Sequence, residues 1–312
     1  MLSRLTNSGK FSGAVLIARD GKILLRQGYG FANRGQRIPF TPETRHHVAS
    51  ISKMFTAMAV LKLRDQNILK LKASICVYLE QCPQIWDEIT VQNLLTHTSG
   101  IADYEEQLGL YKKPYLEFMT RNDATEKILR NARTQKLEFK PGTRFKYSNT
   151  GYVLLSSIVE KVAKMPFNQA VQKLVLESTG LKNTAMFEAG MTGISSGYTT
   201  AWKTIPKLAL TPPAGDAALV STLDDLYSWS ELMDAREMRE IFQAGLGGYG
   251  YGWFIDNRFE RKRYIHTGEL PGYRTVLIKY PGEKLTIVLF SNQDRAPMET
   301  VTREISKLLF KH

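Results

Sequence analysis

The sequence of 312 residues predicts an α/β fold plus an all-α part. In this fold one antiparallel sheet is built from both chain ends, is flanked by terminal helices and carries an inserted helical lobe. Strand-like apolar runs occur near both ends of the chain, and the stretch between them has helical periodicity. We therefore assign residues 1–70 and 241–312 to a sheet domain and residues 71–240 to a mainly helical domain. A cleft between the two is expected to hold the functional site.

The first element is a predicted β-hairpin. Residues 12–18, SGAVLIA, are apolar and rich in residues that favour strands, and ILLRQGYG follows them. Asp20-Gly21 lies between the two runs and is a typical turn dipeptide. The hairpin is expected to begin the sheet.

A helix is predicted to begin at or near Ser50, because Met54, Met58 and Leu61 recur at helical spacing after it. Ser221 or Thr222 is a plausible N-cap for the run STLDDLYSWSELMD, which has acidic residues in its first turn. Further runs with helical periodicity are VQNLL, YLEFMTRNDATEKILRNA, TGYVLLSSIVEKVAK and FNQAVQKLVLE.

The strand pattern returns near residue 249 and continues almost to the end of the chain. METVTREISKLLF then predicts an amphipathic helix that closes the chain. The consecutive strand-like runs are YGYGWFID, KRYIHTG, GYRTVLIKYP and EKLTIVLFSNQ.

Bulk composition excludes several classes of function. No run of about 18 apolar residues is present, so no transmembrane segment is predicted, and the first residues lack the pattern of a signal peptide. The net charge is +12 with dispersed basic residues, which favours a role in solubility over attraction to an anionic cell-envelope surface. No nucleic-acid-binding motif accompanies the charge.

Cys76 and Cys82 are the only cysteines, too few for a disulfide framework and without zinc-ligand partners at suitable spacing. A local disulfide is plausible if the protein is exported, and two free thiols are the equal alternative. No H-E-x-x-H motif occurs, and we expect neither a metal nor a cofactor.

Ser50 and Lys53 fit the pattern S-x-x-K at the start of a predicted helix. Residues three apart share a helix face, so the lysine can act as the base that a serine nucleophile requires. The pattern alone is weak, because average residue usage gives about one chance match in a chain of this length. The alternative is the polar start of a core helix.

Tyr147, Ser148 and Asn149 precede another predicted helix. A tyrosine can relay a proton, and an asparagine can bind a substrate amide through both its donor and its acceptor. Taken alone, Ser148 or Asn149 is better explained as a helix cap. His266, Thr267 and Gly268 lie on a predicted strand, where the glycine would allow a substrate backbone to approach. The next residue, Glu269, would offer a backbone N–H to an oxyanion, and a glycine bulge is the alternative.

The three patterns S-x-x-K, Y-x-N and H-T-G, in this order and at these separations, resemble those of the penicillin-recognising serine hydrolases. This superfamily includes the class C β-lactamases, the DD-carboxypeptidases and the family VIII esterases. The similarity covers nearly the whole chain, including VQNLLTHTSGI and ALVSTLDDLYSW. It implies a β-lactamase/transpeptidase-like fold and a small-molecule or peptide substrate.

The resemblance also implies a role for each matching residue. Ser50 would be the acylated nucleophile, with Lys53 and Tyr147 as base and proton relay in an order that the sequence leaves open. Asn149 would bind the acyl-side amide of the substrate. His266, Thr267 and Gly268 would form the opposite wall, and the backbone N–H groups of Ser50 and Glu269 would form the oxyanion hole.

His266 stands where class C β-lactamases usually carry lysine, which weakens the expected binding of a substrate carboxylate. The implied reaction is therefore cleavage of a D-Ala-type peptide, a D-amino-acid peptide or a small ester, with weak β-lactam hydrolysis possible in addition. Arg263 or Arg274 would serve as a substitute anchor, although ordinary surface placement is favoured for each. His97 is expected to be structural, because no G-x-S-x-G motif surrounds Ser50 and the lysine of S-x-x-K already supplies a base.

Three alternatives use the same residues: a β-lactamase proper, a penicillin-binding or sensing module with little turnover, and an acyltransferase. The resemblance favours a periplasmic or secreted location over a cytoplasmic one. It leaves the physiological substrate and the oligomeric state open.

Overall fold

A computed structural model of the chain describes residues 1–110, 114–119, 121, 123–205, 214–233 and 236–310. The strands, in chain order, are β1 (Gly13–Arg19), β2 (Lys22–Tyr29), β3 (Phe31–Asn33), β4 (Ile38–Pro39), β5 (His46–His47), β6 (Ala185–Met186), β7 (Leu219–Ser221), β8 (Phe254–Arg258), β9 (Arg261–Leu270), β10 (Tyr273–Tyr280) and β11 (Leu285–Ser291). The α-helices are α1 (Leu2–Asn7), α2 (Ser52–Asp65), α3 (Val91–Leu95), α4 (Tyr104–Gln107), α5 (Pro114–Met119), α6 (Ala124–Thr134), α7 (Asn149–Ala163), α8 (Phe167–Val171), α9 (Glu177–Thr179), α10 (Leu223–Leu232) and α11 (Met298–Leu309).

Six strands form one antiparallel sheet in the order β2-β1-β11-β10-β9-β8. β1 and β11 lie side by side within this sheet, with Gly13 opposite Ser291 and Arg19 opposite Leu285. The prediction that one antiparallel sheet is built from both chain ends is therefore confirmed. Two smaller sheets join β3 to β4 and β5 to β7 to β6.

The first hairpin forms where the sequence predicts it. β1 and β2 are joined at Asp20 and Gly21, which both have positive φ values of 51° and 74°. Two left-handed residues in succession match the right-handed twist of the flanking strands, and Asp-Gly adopts this conformation readily.

The two faces of the sheet are covered differently. On the outer face, Val15 of β1 packs with Leu2 of α1 and Val301 of α11 in one apolar cluster. On the inner face, Ala14 and Leu16 belong to a larger core that continues into the helical part. The alternation follows from the two-residue period of a strand, and it confirms the predicted terminal helices that flank the sheet.

Helix α2 lies in the middle of the inner core. Eleven of its fourteen residues are buried, and it contacts α7 and α8 as well as the sheet-bearing part of the chain. A helix that is enclosed on nearly all sides needs no polar face, which explains its run of small and apolar residues. Helix α2 belongs to the predicted sheet domain, residues 1–70, yet its core is continuous with that of the helical part. The predicted division at residues 70 and 240 therefore stays a prediction.

One predicted helix is interrupted, and a second is continuous but changes its hydrogen-bond pattern. YLEFMTRNDATEKILRNA forms α5 and α6, with α5 ending at Met119 and α6 beginning at Ala124; residues 120 and 122 lie outside the described residues. FNQAVQKLVLE contains a π-helical turn at Gln172–Leu176 between α8 and α9. An apolar period of 3.6 residues cannot distinguish one long helix from two short ones that share a face.

Two open alternatives are decided by the structure. The Thr222 side chain accepts a hydrogen bond from the backbone N–H of Asp225 at 3.3 Å, so Thr222 caps α10. Cys76 and Cys82 form a disulfide. Among the described residues, every helix is too short or too polar to cross a lipid bilayer.

Candidate active site

Ser50 lies in a single 3-10 turn, Ala49–Ile51, immediately before α2. Ala49 has a φ of +50°, a left-handed conformation that costs a residue with a side chain about 1 kcal/mol or more. This strained turn presents Ser50 ahead of the first residues of α2. Lys53, in the first turn of that helix, therefore lies on the same side as the serine.

The Lys53 ammonium group donates three hydrogen bonds. Its Nζ atom lies 3.1 Å from Ser50 Oγ, 2.8 Å from Asn149 Oδ1 and 3.0 Å from the backbone oxygen of Asp216. The side chain is completely buried. These contacts bring together two of the three sequence patterns and fix the lysine nitrogen at the serine hydroxyl.

Burial lowers the pKa of Lys53 from 10.5 to about 8, against the opposing effect of nearby carboxylates at Asp216, Asp103 and Glu105. At pH 7 about one molecule in ten therefore carries a neutral lysine. Such a group can accept a proton from Ser50 without a large energetic cost.

Tyr147 interacts with the same serine. Burial in protein raises the pKa of its phenol, and the hydrogen bond between its hydroxyl and Ser50 acts in the other direction. Lys53 Nζ lies 5.0 Å from the centre of the tyrosine ring. At neutral pH the phenol is protonated, so in the resting site it is a proton donor.

His97 holds the loop that carries Tyr147. Its Nδ1 atom accepts a hydrogen bond from the backbone N–H of Ser148 at 3.1 Å, and its backbone oxygen accepts one from Lys146. The imidazole lies 4.2 Å from the Tyr147 ring, measured between ring centres. These contacts agree with the expected structural role of His97 and make it a positioning residue for the tyrosine.

The helix-cap explanation of the Y-S-N pattern does not hold. Ser148 precedes α7, yet its side chain makes no capping hydrogen bond. Asn149 is the first residue of α7, and its side-chain oxygen accepts from Lys53. The Asn149 Nδ2 group makes no hydrogen bond within the described part of the chain, so it remains available to a substrate carbonyl oxygen.

The strand that carries the H-T-G pattern has a free edge beside the serine. β8 pairs with β9 only as far as Ile265, so residues 266–270 have no strand on that side among the described residues. A Cβ atom at Gly268 would lie 2.1 Å from the backbone oxygen of Val48. The glycine was expected to admit a substrate backbone; the structure shows that it admits the turn that carries Ser50.

His266 faces the site and is uncharged. Its Nδ1 lies 2.7 Å from the Thr267 backbone oxygen and its Nε2 lies 3.0 Å from the Tyr249 hydroxyl. A carbonyl oxygen can only accept, so Nδ1 carries the proton and Nε2 accepts from Tyr249. Burial, together with the charge of Lys53, lowers the pKa of His266 to about 3. The residue therefore supplies no positive charge at neutral pH.

The side chains of Thr267 and Glu269 lie on the outer face of the sheet. In the β9–β10 register they stand opposite Val276 and Arg274, on the face that α11 covers. They line a cavity of ≈ 350 Å³ on that face, and Ser50 and Lys53 do not line it. Both residues can therefore serve the site only through their backbone.

The two arginines that were weighed as carboxylate anchors line the same outer cavity. Arg263 Nε lies 2.8 Å from Asp256 Oδ1, in a two-point ion pair. Arg274 donates to the backbone oxygens of Leu270 and Tyr273. Both arginines therefore lie on the outer surface of the sheet, which was the favoured alternative for each.

An acidic group that the sequence does not predict lies beside Lys53. Asp103, Glu105 and Asp216 all act electrostatically on the lysine. Asp103 and Glu105 belong to the run IADYEE, and Asp216 follows Gly215. The dense acidic run directly after THTSG was the only available signal, and nothing in the sequence connects it to residue 216.

The family model described as Beta-lactamase matches residues 2–310. Penicillin-binding protein 4* of Bacillus subtilis (strain 168) is 25% identical, with 94% of this chain and 71% of that protein aligned. The D-aminopeptidase of Gluconobacter oxydans (strain 621H) is 28% identical and aligns with 90% of this chain. The chain spans only 55% of the length of that relative.

Solved structures show the same fold. The penicillin-binding protein from Bacillus halodurans superposes with a TM-score of 0.86 at 26% identity, and the match covers 98% of each chain. The octameric penicillin-binding protein homologue from Pyrococcus abyssi has a TM-score of 0.84 at 26% identity, covering 98% of this chain and 75% of that one. The β-lactamase/transpeptidase-like fold that the sequence predicts is thus confirmed.

Proposed function

Because the chain belongs to the β-lactamase family of serine hydrolases, we propose that it cleaves an amide or ester bond through an acyl-enzyme on Ser50. The observation that carries this proposal is the 3.1 Å hydrogen bond between Lys53 Nζ and Ser50 Oγ. A serine hydroxyl is a poor nucleophile without an adjacent base, and this contact supplies one.

Lys53 in its neutral form removes the Ser50 proton as the serine oxygen attacks the substrate carbonyl. The pKa of about 8 makes the lysine a better base near neutrality than Tyr147, whose pKa is raised. The backbone N–H groups of Ser50 and Glu269 stabilise the oxyanion. Gly268 supports this geometry, because it lets β9 lie directly against the turn that carries the nucleophile.

Tyr147 delivers a proton to the leaving group and then assists the water that hydrolyses the acyl-enzyme. Its phenol is protonated at rest because burial raises its pKa, and it interacts with Ser50, so it can act as the acid. Asn149 orients the substrate through its Nδ2 group, while Lys53 holds its Oδ1.

The substrate class that we propose is a D-amino-acid peptide, a D-Ala-type peptide or a small ester, with weak hydrolysis of β-lactams. The D-aminopeptidase relative supports the first. A neutral His266 argues against strong binding of the carboxylate that β-lactams carry. A module that is acylated by penicillin and turns over little is the second candidate, supported by the penicillin-binding relative.

We also propose an extracytoplasmic location. The Cys76–Cys82 disulfide supports it, because such bonds persist mainly in oxidising compartments. The net charge of +12, which we attribute mainly to solubility, is compatible with contact with an anionic envelope surface.

The test is labelling with a fluorescent fluorophosphonate and a fluorescent penicillin, followed by intact mass. We expect one adduct on the wild-type protein and none on Ser50→Ala. Ser52→Ala is the matched control, because Ser52 lies two residues away and its side chain accepts a hydrogen bond from the Leu219 backbone. Equal labelling of Ser50→Ala and the wild type would contradict the proposal. Turnover of p-nitrophenyl butyrate separates a hydrolase from a protein that is acylated only once.

A further inference from the structure

Asp103, Glu105 and Asp216 form an acidic group beside Lys53. Its negative charge is more than is needed to balance one lysine. Three carboxylates face one ammonium group, and each of the three interacts with it electrostatically. The lysine nevertheless gives its hydrogen bonds to a hydroxyl, a side-chain amide and a backbone carbonyl. None of the three carboxylates forms a direct ion pair with Lys53.

Only Asp103 is fully occupied by the protein. One of its oxygens accepts from the backbone N–H of Glu105 at 2.9 Å, and the other accepts from the backbone N–H of Asn149. It caps the first turn of α4 and ties that helix to the start of α7. This carboxylate therefore has a structural explanation.

Asp216 and Glu105 are not satisfied in this way. Asp216 is 1% exposed; its Oδ2 accepts from the Tyr104 hydroxyl at 3.1 Å, whereas its Oδ1 has no hydrogen-bond partner among the described residues. The Glu105 carboxylate is half-buried and makes no hydrogen bond or ion pair within the part of the chain that the structure describes. An unpaired buried carboxylate costs several kcal/mol, which a cationic partner would offset.

The partner is better matched by an organic ammonium than by a metal ion. Among the described residues no three acidic, histidine or cysteine side chains converge closely enough to hold a metal. The acidic group also touches the reacting centre, because Asp103 binds the Asn149 backbone and the Asp216 backbone binds Lys53. A cation held there would lie close to the carbonyl carbon that Ser50 attacks. In an amino-acid substrate the α-amino group is one carbon away from that carbonyl, so it is the cation in the right place.

We propose that Glu105 and Asp216 bind the protonated α-amine of the acyl residue, so that the enzyme acts on amides, esters or peptides with a free N-terminal amino acid. This inference rests on the proposed acyl-enzyme on Ser50. It names the acyl side of the substrate, which the catalytic residues alone leave open. An N-acylated substrate lacks the positive charge and leaves both carboxylates unpaired.

Burial, and the mutual repulsion of the carboxylates, support this assignment. The pKa values of Glu105 and Asp216 are each raised to about 7, mainly by burial. A bound ammonium group favours the charged form of each and is itself favoured by them.

The test compares D-alanine p-nitroanilide with N-acetyl-D-alanine p-nitroanilide at pH 7.5. We expect the wild-type kcat/KM to be higher for the free amine by about tenfold or more, and Glu105→Gln to reduce this ratio by about tenfold. Glu106→Gln is the matched control: it removes the same charge one residue along, from an exposed carboxylate that pairs with Lys146. We expect that control to keep the wild-type ratio.

The outcomes separate the two proposals. A wild-type enzyme that hydrolyses p-nitrophenyl butyrate but has a ratio near one would overturn amine recognition and leave the hydrolase intact. A ratio that falls equally in Glu105→Gln and Glu106→Gln would also overturn it. Failure to turn over any of the three substrates would overturn both.

Discussion

The two sides of Lys53 differ in charge and in how completely their polar groups are paired. On the β9 side, His266 is neutral and both of its ring nitrogens have partners. On the α4 side, the acidic group is in excess, and Asp216 Oδ1 has no hydrogen-bond partner within the described part of the chain. This difference indicates that the β9 side contributes shape and backbone groups, whereas the acidic side can select a substrate by its charge.

Burial determines the protonation states on both sides of Lys53 by the same physical effect. It disfavours the charged form of any group, so it lowers the pKa of His266 to about 3 and raises the pKa of Asp216 to about 7. The histidine is thereby neutral over the physiological range. The carboxylate stays poised to ionise within it, and a cation nearby decides which form is present.

The largest change is expected when the charge between the two sides is removed. Lys53→Ala should lower kcat/KM for p-nitrophenyl butyrate on the order of 10³-fold, because the base is lost. In the wild type this kcat/KM should rise as the pH increases through about 8, since only the deprotonated lysine acts as the base. A pH profile between 6 and 9 that is flat in the wild type, or equal in both proteins, would contradict this assignment.

The second-largest effect is expected when the neutral β9 side is made cationic, which should alter selectivity for substrates that carry a carboxylate. His266→Lys should increase kcat/KM for nitrocefin, which carries a carboxylate, relative to p-nitrophenyl butyrate by about tenfold. His266→Gln is the neutral control and should keep the wild-type ratio. Thermal unfolding of both variants distinguishes a change in selectivity from a loss of fold. An unchanged ratio in a folded His266→Lys protein would show that this residue does not determine carboxylate binding.

The acidic side should make amine selectivity depend on pH. As the pH rises through about 7, Glu105 and Asp216 lose their protons, and the preference for D-alanine p-nitroanilide over its N-acetyl form should increase several-fold. Above about pH 8 the substrate amine itself deprotonates, and the preference should decrease. The ratio of the two kcat/KM values from pH 5.5 to 9.5 measures this. A ratio that does not change with pH would show that the charges of Glu105 and Asp216 do not determine the preference for the free amine.

The smallest effect on selectivity is expected from the disulfide, which belongs to neither side. Replacing Cys76 and Cys82 by serine should lower the free energy of unfolding by about 2 kcal/mol, because the crosslink constrains the unfolded chain. Urea unfolding of the wild type and the double variant measures the loss. The amine preference should stay at the wild-type value; a change would mean that the 76–82 loop supports the site.

The sequence predicts the sheet and the contact between Ser50 and Lys53 because both rest on local patterns. The β1–β2 hairpin follows from apolar runs around Asp20-Gly21, and both residues adopt the expected left-handed conformation. Ser50 and Lys53 are three residues apart, so helical geometry alone brings them together. Tyr147 and Asn149 required the resemblance to a family, since no local rule connects them to residue 50.

The acidic group could not be predicted, because its members meet only through the tertiary fold. Asp216 is separated by more than a hundred residues from Asp103 and Glu105, and an acidic run alone usually indicates a solvated surface. The contact between Gly268 and the Val48 backbone was not foreseen for a related reason: a strand pattern indicates that space is needed at a glycine, but not which backbone fills it.

The most direct test of the central claim is to locate the covalent adduct. Trypsin cleaves after Arg45 and Lys53 and releases the peptide HHVASISK, which contains both Ser50 and Ser52. After reaction with a fluorophosphonate, fragmentation of this peptide by mass spectrometry should place the adduct on Ser50, the serine that hydrogen-bonds to Lys53. An adduct on Ser52, or on a peptide elsewhere in the chain, would contradict the account.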